Sequence, residues 1–215
     1  ITYDKGATWR HIENLPVGQF YHINVDNEIP YNIYGGLQDN GSWRGPAYAW
    51  YNGSLINELY DFLIGGDGFD AMPVPGDSRY CYAQSQGGSV RRMDVVTGWS
   101  KSIRPAAEAG ERLRFNWNSA IAQDPFDNNT IYFGSQFVHK SSDRGDTWTK
   151  ISPDLTTNDP EKLKQDQSGG ITTDATGAEN HCTVITIAAS SLKQGLIWAG
   201  TDDGMIQVTE DGGRS

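Results

Sequence analysis

The sequence predicts an all-β protein, a β-propeller built from four-stranded antiparallel blades. One observation is a segment that aligns without gaps four times, with an aromatic second position at Tyr34, Tyr82, Tyr132 and Trp198. Its spacing is close to 50 residues for the first three copies, which is the length of one propeller blade. A second observation is a short motif, Thr/Ser-x-Asp-x-Gly-x-Thr/Ser, present three times. The 25 glycines and 11% aromatic residues also favour β-structure with many tight turns.

We call the three motif segments turn A (residues 2–9), turn B (141–148) and turn C (209–215). Each residue type has a task in a tight hairpin: hydroxyl and carboxylate oxygens bond nearby backbone N–H groups, glycine permits a positive φ, and tryptophan anchors the turn to the core. These structural residues are Asp4, Gly6, Thr8, Trp9, Asp143, Gly145, Thr147, Trp148, Asp211 and Gly213.

The predicted units follow one another along the chain. They are residues 1–16 as the outer strand of a preceding blade, 17–65 as a blade, 66–105 as a blade, 106–154 as a blade with turn B, 155–180 as a polar insertion, and 181–215 as a partial blade ending in turn C. Turns B and C fall between the third and fourth strands of their blades. Residues 55–64 fit either a short helix or an irregular fourth strand.

About four blades cannot close a ring of the usual six to eight. We therefore expect the remaining blades to come from the same or a larger polypeptide. An isolated piece with open blades exposes unpaired strand edges, so we also expect it not to be a stable monomer.

Charge and composition exclude several classes of function. A formal net charge of -10 with a pI near 4.7 argues against nucleic-acid binding, which needs a basic face. No apolar run is long enough to span a membrane. The histidines show no paired metal spacing, so we expect neither a metal nor a cofactor. Cys81 and Cys182 lie in apolar strand-like runs and are predicted to be buried thiols, with a disulfide between them left open.

Five further segments complete the picture. They are residues 35–41 (GGLQDNG), 65–69 (GGDGF), 115–119 (FNWNS), 151–156 (ISPDLT) and 198–204 (WAGTDDG). With the three turns, they make the chain resemble the Asp-box (BNR) propeller superfamily over nearly its whole length. More narrowly, the chain resembles large bacterial exported proteins described as sortilin-like or BNR glycosyl-hydrolase-like. That resemblance implies an extracellular or periplasmic location and leaves the activity open, because the superfamily includes enzymes, peptide-binding proteins and assembly factors.

Propeller connectivity places the three turns on one face and the starts of the first strands on the other. We call the second face the upper end, and propellers usually bind ligands there. Candidate ligand-binding residues at the upper end are Gln38, Asp39, Asn116, Trp117, Asn118 and His181. Asp67, between glycines, is the candidate catalytic carboxylate, with Asp202 or Asp39 as its partner. Amides and aspartates at strand ends also cap turns, which is the competing interpretation.

The sequence thus supports three hypotheses. The first is an exported propeller that binds a peptide, protein or glycan at the upper end. The alternative is a glycoside hydrolase with paired carboxylates at the channel mouth, about 5 Å apart for retention and roughly 6.5–9.5 Å for inversion. A structural or assembly role is the third.

Overall fold

A computed structural model of the chain describes residues 1–11, 18–49, 55–164, 178 and 180–215. Within these residues, fifteen β-strands form four antiparallel sheets. Sheet 1 contains β1 (Phe20–Val25), β2 (Asn32–Leu37), β3 (Gly41–Pro46) and β4 (Asp61–Ile64); sheet 2 contains β5 (Gly68–Val74), β6 (Asp77–Ser85), β7 (Ser89–Asp94) and β8 (Ser100–Ser102). Sheet 3 contains β9 (Ile121–Gln123), β10 (Ile131–Gly134), β11 (Val138–Ser141) and β12 (Thr149–Lys150); sheet 4 contains β13 (Val184–Ala189), β14 (Ile197–Thr201) and β15 (Ile206–Thr209). Short 3-10 turns lie at Asn57–Leu59 and Gln86–Gly88.

Each strand pairs with its neighbour in sequence, so every sheet is an up-and-down meander. This arrangement confirms the predicted fold class: an all-β propeller of about four blades whose ring is incomplete. Sheet 4 has three strands in the described part of the chain.

The repeated aromatic position is buried in three sheets, and its hydroxyl group has different partners. Tyr34 donates to Asp26 at 3.0 Å and Tyr132 donates to Asp124 at 2.5 Å, in each case across the turn that joins the first two strands. Burial raises the pKa of both tyrosines. For Tyr82, the residue at the position of Asp26 and Asp124 is Val74, which has no polar side chain. The buried hydroxyl group of Tyr82 has no hydrogen-bond partner in the described structure.

Three apolar clusters lie between consecutive sheets. Tyr34, Ala71 and Cys81 belong to the cluster between sheets 1 and 2. The cluster between sheets 2 and 3 centres on Tyr82, Phe115, Ile131 and Phe133, and the one between sheets 3 and 4 on Tyr132, Val184 and Ile197. Cys81 and Cys182 are both buried and free, so they form no disulfide. Burial of apolar side chains between neighbouring sheets therefore stabilises the packing of each sheet.

Turn B has the hydrogen bonds that its residue types predict. The Ser141 hydroxyl group donates to Asp143 at 2.7 Å and accepts from the Gly145 N–H at 2.7 Å. The Asp143 carboxylate accepts from the Thr147 N–H at 2.8 Å and from its hydroxyl group at 2.6 Å. Turns A and C repeat this pattern around Asp4 and Asp211.

Turn B lies at the end of the sheets opposite to the upper end. Arg144, at the tip of the turn, pairs with Asp77 at 2.9 Å and with Asn129 at 2.8 Å. Asn129 lies in the connection between β9 and β10, and Asp77 is the first residue of β6, directly after the connection from β5. Connections between a first and a second strand are at the lower end of a meander. The hairpins that carry turns B and C therefore lie at the lower end. The upper end is formed by other connections of the chain.

The structure differs from the sequence predictions in two elements. β3 was not predicted, because Gly41–Pro46 lacks the apolar alternation of the other strands. Residues 1–16 were predicted as the outer strand of a preceding blade, but residues 1–11 lie in no strand and residues 12–16 are outside the described residues. Residues 55–64 contain both a 3-10 turn and β4, so the fourth-strand alternative applies to Asp61–Ile64. Of the predicted insertion, residues 165–177 and 179 lie outside the described part.

Sheets 1 and 4 each carry an exposed apolar face. In sheet 1, Ile23, Trp43 and Phe62 lie on the face turned away from sheet 2. In sheet 4, Trp198 and Val208 occupy the face turned away from sheet 3. These two faces lie at the two ends of the row of four sheets. Among the described residues there is no helix with the length and apolar character of a membrane span.

Candidate functional site

The connections at the upper end are joined by hydrogen bonds that run from sheet 1 to sheet 4. The Asp39 N–H donates to Asp67 Oδ1 at 2.8 Å, and the Asp67 N–H donates to Gln86 Oε1 at 3.0 Å. The Gly87 N–H donates to the Trp117 carbonyl at 3.1 Å. We call this connected series, from Asp39 to Asp202, the upper arc. Its last member, Asp202, accepts from Asn116 Nδ2 at 3.1 Å.

Asp67 and Asp39 form the part of the upper arc that is open to solvent. Asp39 is exposed in the left-handed region, with φ 61°, and Asp67 is partly exposed. Gly66 makes the approach to Gln86 possible: its φ is +89°, and a Cβ atom there would lie 2.5 Å from Gln86 Oε1. Two carboxylates therefore meet the solvent on adjacent connections.

An aromatic ring lies beside these carboxylates. Tyr21 is 37% exposed, and its ring packs on Phe69 with centroids 4.6 Å apart. Desolvation raises the pKa of the Tyr21 hydroxyl group, and the negative charges of Asp67 and Asp39 raise it further. Tyr21 was not among the predicted site residues, although it lies at the start of the first strand of its blade.

Asp202 has a different environment from Asp67. Its Oδ1 accepts from the Thr183 N–H at 3.0 Å, and its Oδ2 accepts from the Thr183 hydroxyl group at 2.7 Å as well as from Asn116. Asn116 Oδ1 in turn accepts from the Asn118 N–H at 3.0 Å. Asp202 and Asn116 were both predicted at the upper end. The structure brings them into contact with each other, and their polar atoms bind this chain and connect sheet 4 to sheet 3.

A second branch crosses the upper end toward sheets 1 and 2. Asn118 Nδ2 lies 3.0 Å from His22 Nε2, and His22 Nδ1 lies 3.8 Å from Asp70 Oδ1. Asp70 is mostly buried; desolvation raises the pKa of its carboxyl group, and the neighbouring His22 and Asn24 partly offset this effect. Sequence reasoning missed Asp70. The one sequence feature that marks Asp70 is its charge, since it lies between the apolar residues Phe69 and Ala71 in β5, the first strand of its blade.

The remaining candidates lie at the margin of the upper arc. Gln38 contributes its backbone, donating from its N–H to the Gln19 carbonyl at 3.0 Å and accepting from Asn40 Nδ2 at 2.9 Å. The Trp117 side chain is partly exposed. His181 lines a cavity of about 140 Å³ with Arg112 and other residues. No group of three or more histidine, cysteine or acidic side chains in the described part is arranged to hold a metal.

Comparison with known proteins gives distant likenesses. No protein-family model matches the chain. A xyloglucanase from a Paenibacillus species is 27% identical over 165 residues, and one from Hypocrea jecorina is 25% identical over 162 residues. These matches cover 67% and 69% of this chain but only 16% of each relative, so the chain spans about a sixth of their length.

Among solved structures, the GH74 xyloglucanase from Xanthomonas campestris is similar with a TM-score of 0.52 and 14% identity. The likeness covers 84% of this chain and 26% of that enzyme. At this identity, the likeness shows the propeller fold and leaves activity to be argued from the upper arc.

Proposed function

We propose that this chain is a segment of an exported β-propeller that binds a glycan at its upper end. The observation that supports this most directly is the exposed carboxylate of Asp39 and the partly exposed carboxylate of Asp67 beside the 37% exposed ring of Tyr21. An aromatic ring offers an apolar platform to the face of a sugar, and carboxylates accept hydrogen bonds from sugar hydroxyl groups. Peptide or protein ligands are the other classes that this surface suits.

The sequence comparison favours a glycan over a peptide. The two relatives that match this chain are both xyloglucanases. The exported location rests on the resemblance to exported propeller proteins. We therefore place xyloglucan and other β-linked plant glycans first among the ligands to test.

The test is affinity electrophoresis in gels that contain xyloglucan, mixed-linkage β-glucan or no polysaccharide. Tyr21→Ala removes the ring, whereas Asp67→Asn keeps an acceptor for the Asp39 N–H and removes only the charge. We expect the retardation of the Tyr21→Ala chain to fall at least about tenfold and that of Asp67→Asn to fall severalfold.

Two matched controls lie at the lower end. Trp99→Ala removes a 55% exposed indole, and Asp77→Asn neutralises a carboxylate that pairs with Arg144. Both should migrate as the unaltered chain does. Equal loss of retardation in all four variants would refute a glycan site at Tyr21. The absence of retardation by any glycan, together with binding to a peptide library, would also refute it.

Hydrolysis of a polysaccharide is the second candidate, and the partial exposure of Asp67 favours it. In that reaction Asp67 acts as the acid or base and Asp39 supplies the second carboxylate, since both oxygens of Asp202 accept hydrogen bonds from this chain. Release of reducing ends from xyloglucan, lost in Asp67→Asn while binding persists, would support hydrolysis. Binding without any release by the unaltered protein would leave the binding function alone.

A further inference from the structure

A series of hydrogen bonds at the upper end links sheet 1 to sheets 2 and 3. Gln84 Nε2 in β6 donates to the Ser119 carbonyl at 2.7 Å and to Asn118 Oδ1 at 3.3 Å. Asn118 Nδ2 in turn lies 3.0 Å from Nε2 of His22 in β1. We call this series, from Ser119 through Gln84 and Asn118 to His22, the polar relay. It brings β1 into direct contact with the connection that leads into sheet 3.

The direction of each hydrogen bond in the polar relay follows from its first acceptor. A backbone carbonyl can only accept, so the Gln84 atom beside Ser119 is the amide nitrogen. The same nitrogen faces Asn118, which therefore turns its oxygen toward Gln84 and its nitrogen toward His22. Because an amide nitrogen only donates, His22 Nε2 must accept, and the neutral ring carries its proton on Nδ1. In free histidine, this tautomer is the less populated one.

The reversed direction would leave more buried polar groups unpaired. Gln84 is fully buried, and its Oε1 has no hydrogen-bond partner among the described residues. If both amides turned over, a protonated His22 could donate to Asn118 Oδ1. The Ser119 carbonyl would then lose its donor, and the Gln84 nitrogen would take the place where its oxygen now has no partner. The polar relay therefore requires His22 to be neutral.

Asp70 offers a charged His22 a different partner. His22 Nδ1 lies 3.8 Å from Asp70 Oδ1, which is too long for a hydrogen bond but within the range of an ion pair. The side chain of His22 is 43% exposed and that of Asp70 is 19% exposed, so solvent protons reach the ring beside a poorly hydrated carboxylate. A positive charge on His22 would compensate the desolvation of Asp70.

The other groups around His22 carry no opposing charge. β2 places Gly36 opposite His22, and the connection into sheet 3 contributes the neutral amide of Asn118. Asp70 is therefore the charged group that the described residues place against the ring. Two further acidic side chains of the upper end act on the neighbouring ring of Tyr21, namely Asp39 and Asp67.

We propose that His22 is a proton-controlled positioning residue, which holds residues 116–118 through Asn118 when neutral and releases them to pair with Asp70 when protonated. The released residues include Trp117, whose side chain is partly exposed and whose carbonyl accepts from the Gly87 N–H at 3.1 Å. Mild acid thus loosens the upper arc between sheets 2 and 3. The inference goes beyond glycan binding and holds for any ligand of the upper end.

The first test is the tautomer of His22. The chain has four histidines, so nitrogen-15 spectra of the histidine-labelled chain are compared with those of His22→Gln to assign the ring. Solid-state spectra tolerate self-association of the chain. At about pH 8, we expect a neutral His22 ring with a protonated Nδ1 and a bare Nε2. A neutral ring protonated on Nε2 would overturn the direction of the polar relay and with it the proposal.

The second test is amide exchange by mass spectrometry from about pH 8 to about pH 5, the range in which histidine side chains titrate. Each rate is divided by that of an unstructured peptide at the same pH. Protection of the Asn118 N–H, which donates to Asn116 Oδ1, and of the Gly87 N–H should fall at least about tenfold in acid. Its midpoint should coincide with the titration of the His22 ring. The Ile151 N–H, which donates to the Val138 carbonyl at 2.9 Å, is the internal control and should keep its protection.

Two variants separate the roles of the link and of the ion pair. In His22→Gln, the new amide oxygen accepts from Asn118 but gains no proton in this range, so protection should stay high at every pH. In Asp70→Asn, the loss of the negative charge should move the midpoint to lower pH. An acid-induced loss that survives in His22→Gln would assign the sensor to another group. An unchanged midpoint in Asp70→Asn, or constant protection of the unaltered chain while His22 titrates, would equally overturn the proposal.

Discussion

Tyr34, Tyr82 and Tyr132 hold the same position of the repeat but differ in what their hydroxyl groups bind. Tyr132 donates to the buried carboxylate of Asp124, whereas the Tyr82 hydroxyl group is buried without a partner in the described structure. Desolvation raises the pKa of Tyr82 to about 12. A buried hydroxyl group is therefore stabilising at one position and costly at the other.

We expect Tyr132→Phe to lower the free energy of unfolding by about 1.5–3 kcal/mol, because the charged carboxylate of Asp124 loses the hydrogen bond that the Tyr132 hydroxyl group donates. Tyr82→Phe should be neutral or stabilising, because it removes an unpaired polar atom and keeps the ring. Urea midpoints at one fixed protein concentration provide the comparison. Similar destabilisation by both changes would mean that the Tyr82 hydroxyl group has a partner after all.

Turn B gives a prediction about acid sensitivity. Hydrogen bonds from the Thr147 hydroxyl group, from its N–H and from Ser141 lower the pKa of Asp143 to about 2, against a usual value of 3.8. A lowered pKa in the folded state stabilises the fold above the unfolded value, and that stabilisation is lost as pH falls from about 4 to 2. Asp143→Asn and Thr147→Val should both flatten the fall of stability in this window. Urea midpoints between pH 5 and pH 2 measure it, and slopes equal to that of the unaltered chain would contradict the assignment.

The residues of the upper arc show what the sequence could and could not predict about a site. Asn116 and Asp202 were predicted to share one face, and they are in contact. Whether a carboxylate is open or engaged depends on the residue that the fold places opposite it. Thr183 occupies both oxygens of Asp202, while Asp67 receives the Asp39 N–H. Those partners are 19 and 28 residues away, so no local pattern distinguishes the two aspartates.

At the level of elements, the contact between sheets 1 and 2 depends on glycine. Gly36 in β2 faces the backbone of β5, and a Cβ atom there would lie 2.0 Å from the Phe69 carbonyl oxygen. Backbone cannot move aside as a flexible side chain can. We expect Gly36→Ala to cost roughly 1–3 kcal/mol or more through separation of the two sheets.

Gly65→Ala is the matched control, because its added Cβ atom meets only the Phe62 ring at 3.6 Å, an ordinary van der Waals distance. Thermal midpoints and amide exchange of β2 and β5 distinguish the two changes. If Gly36→Ala leaves exchange in both strands unchanged, the close approach of the sheets is not what stabilises this contact.

The first and second strands of each blade were predictable because the repeat supplied four aligned examples of the same pattern. β3 had no such support, since Gly41, Gly45 and Pro46 are poor strand formers. Its place comes from pairing instead: Trp43 lies opposite Gly35 on one side and Phe62 on the other. Tertiary contacts, rather than propensity, therefore determine β3.

For the whole molecule, the decisive feature is the exposed apolar face at each end of the row of four sheets. Ile23, at 59% exposed, represents the face of sheet 1, and Ile206, at 74%, represents that of sheet 4. Faces of this kind normally pack against a neighbouring blade, as the inner faces of these sheets do. The remaining blades of a propeller provide such neighbours.

We therefore expect the 215-residue chain alone to self-associate and to bind an apolar dye such as ANS. Phe62→Thr and Val208→Thr keep strand propensity while reducing apolar area, one on each open face. Together they should lower dye binding and shift sedimentation toward the monomer, whereas Leu192→Thr, a 94% exposed residue of the β13–β14 connection, should change neither. A sharp, cooperative melt of the unaltered chain as a monomer at low concentration would contradict this expectation, because it would show that the open faces need no cover.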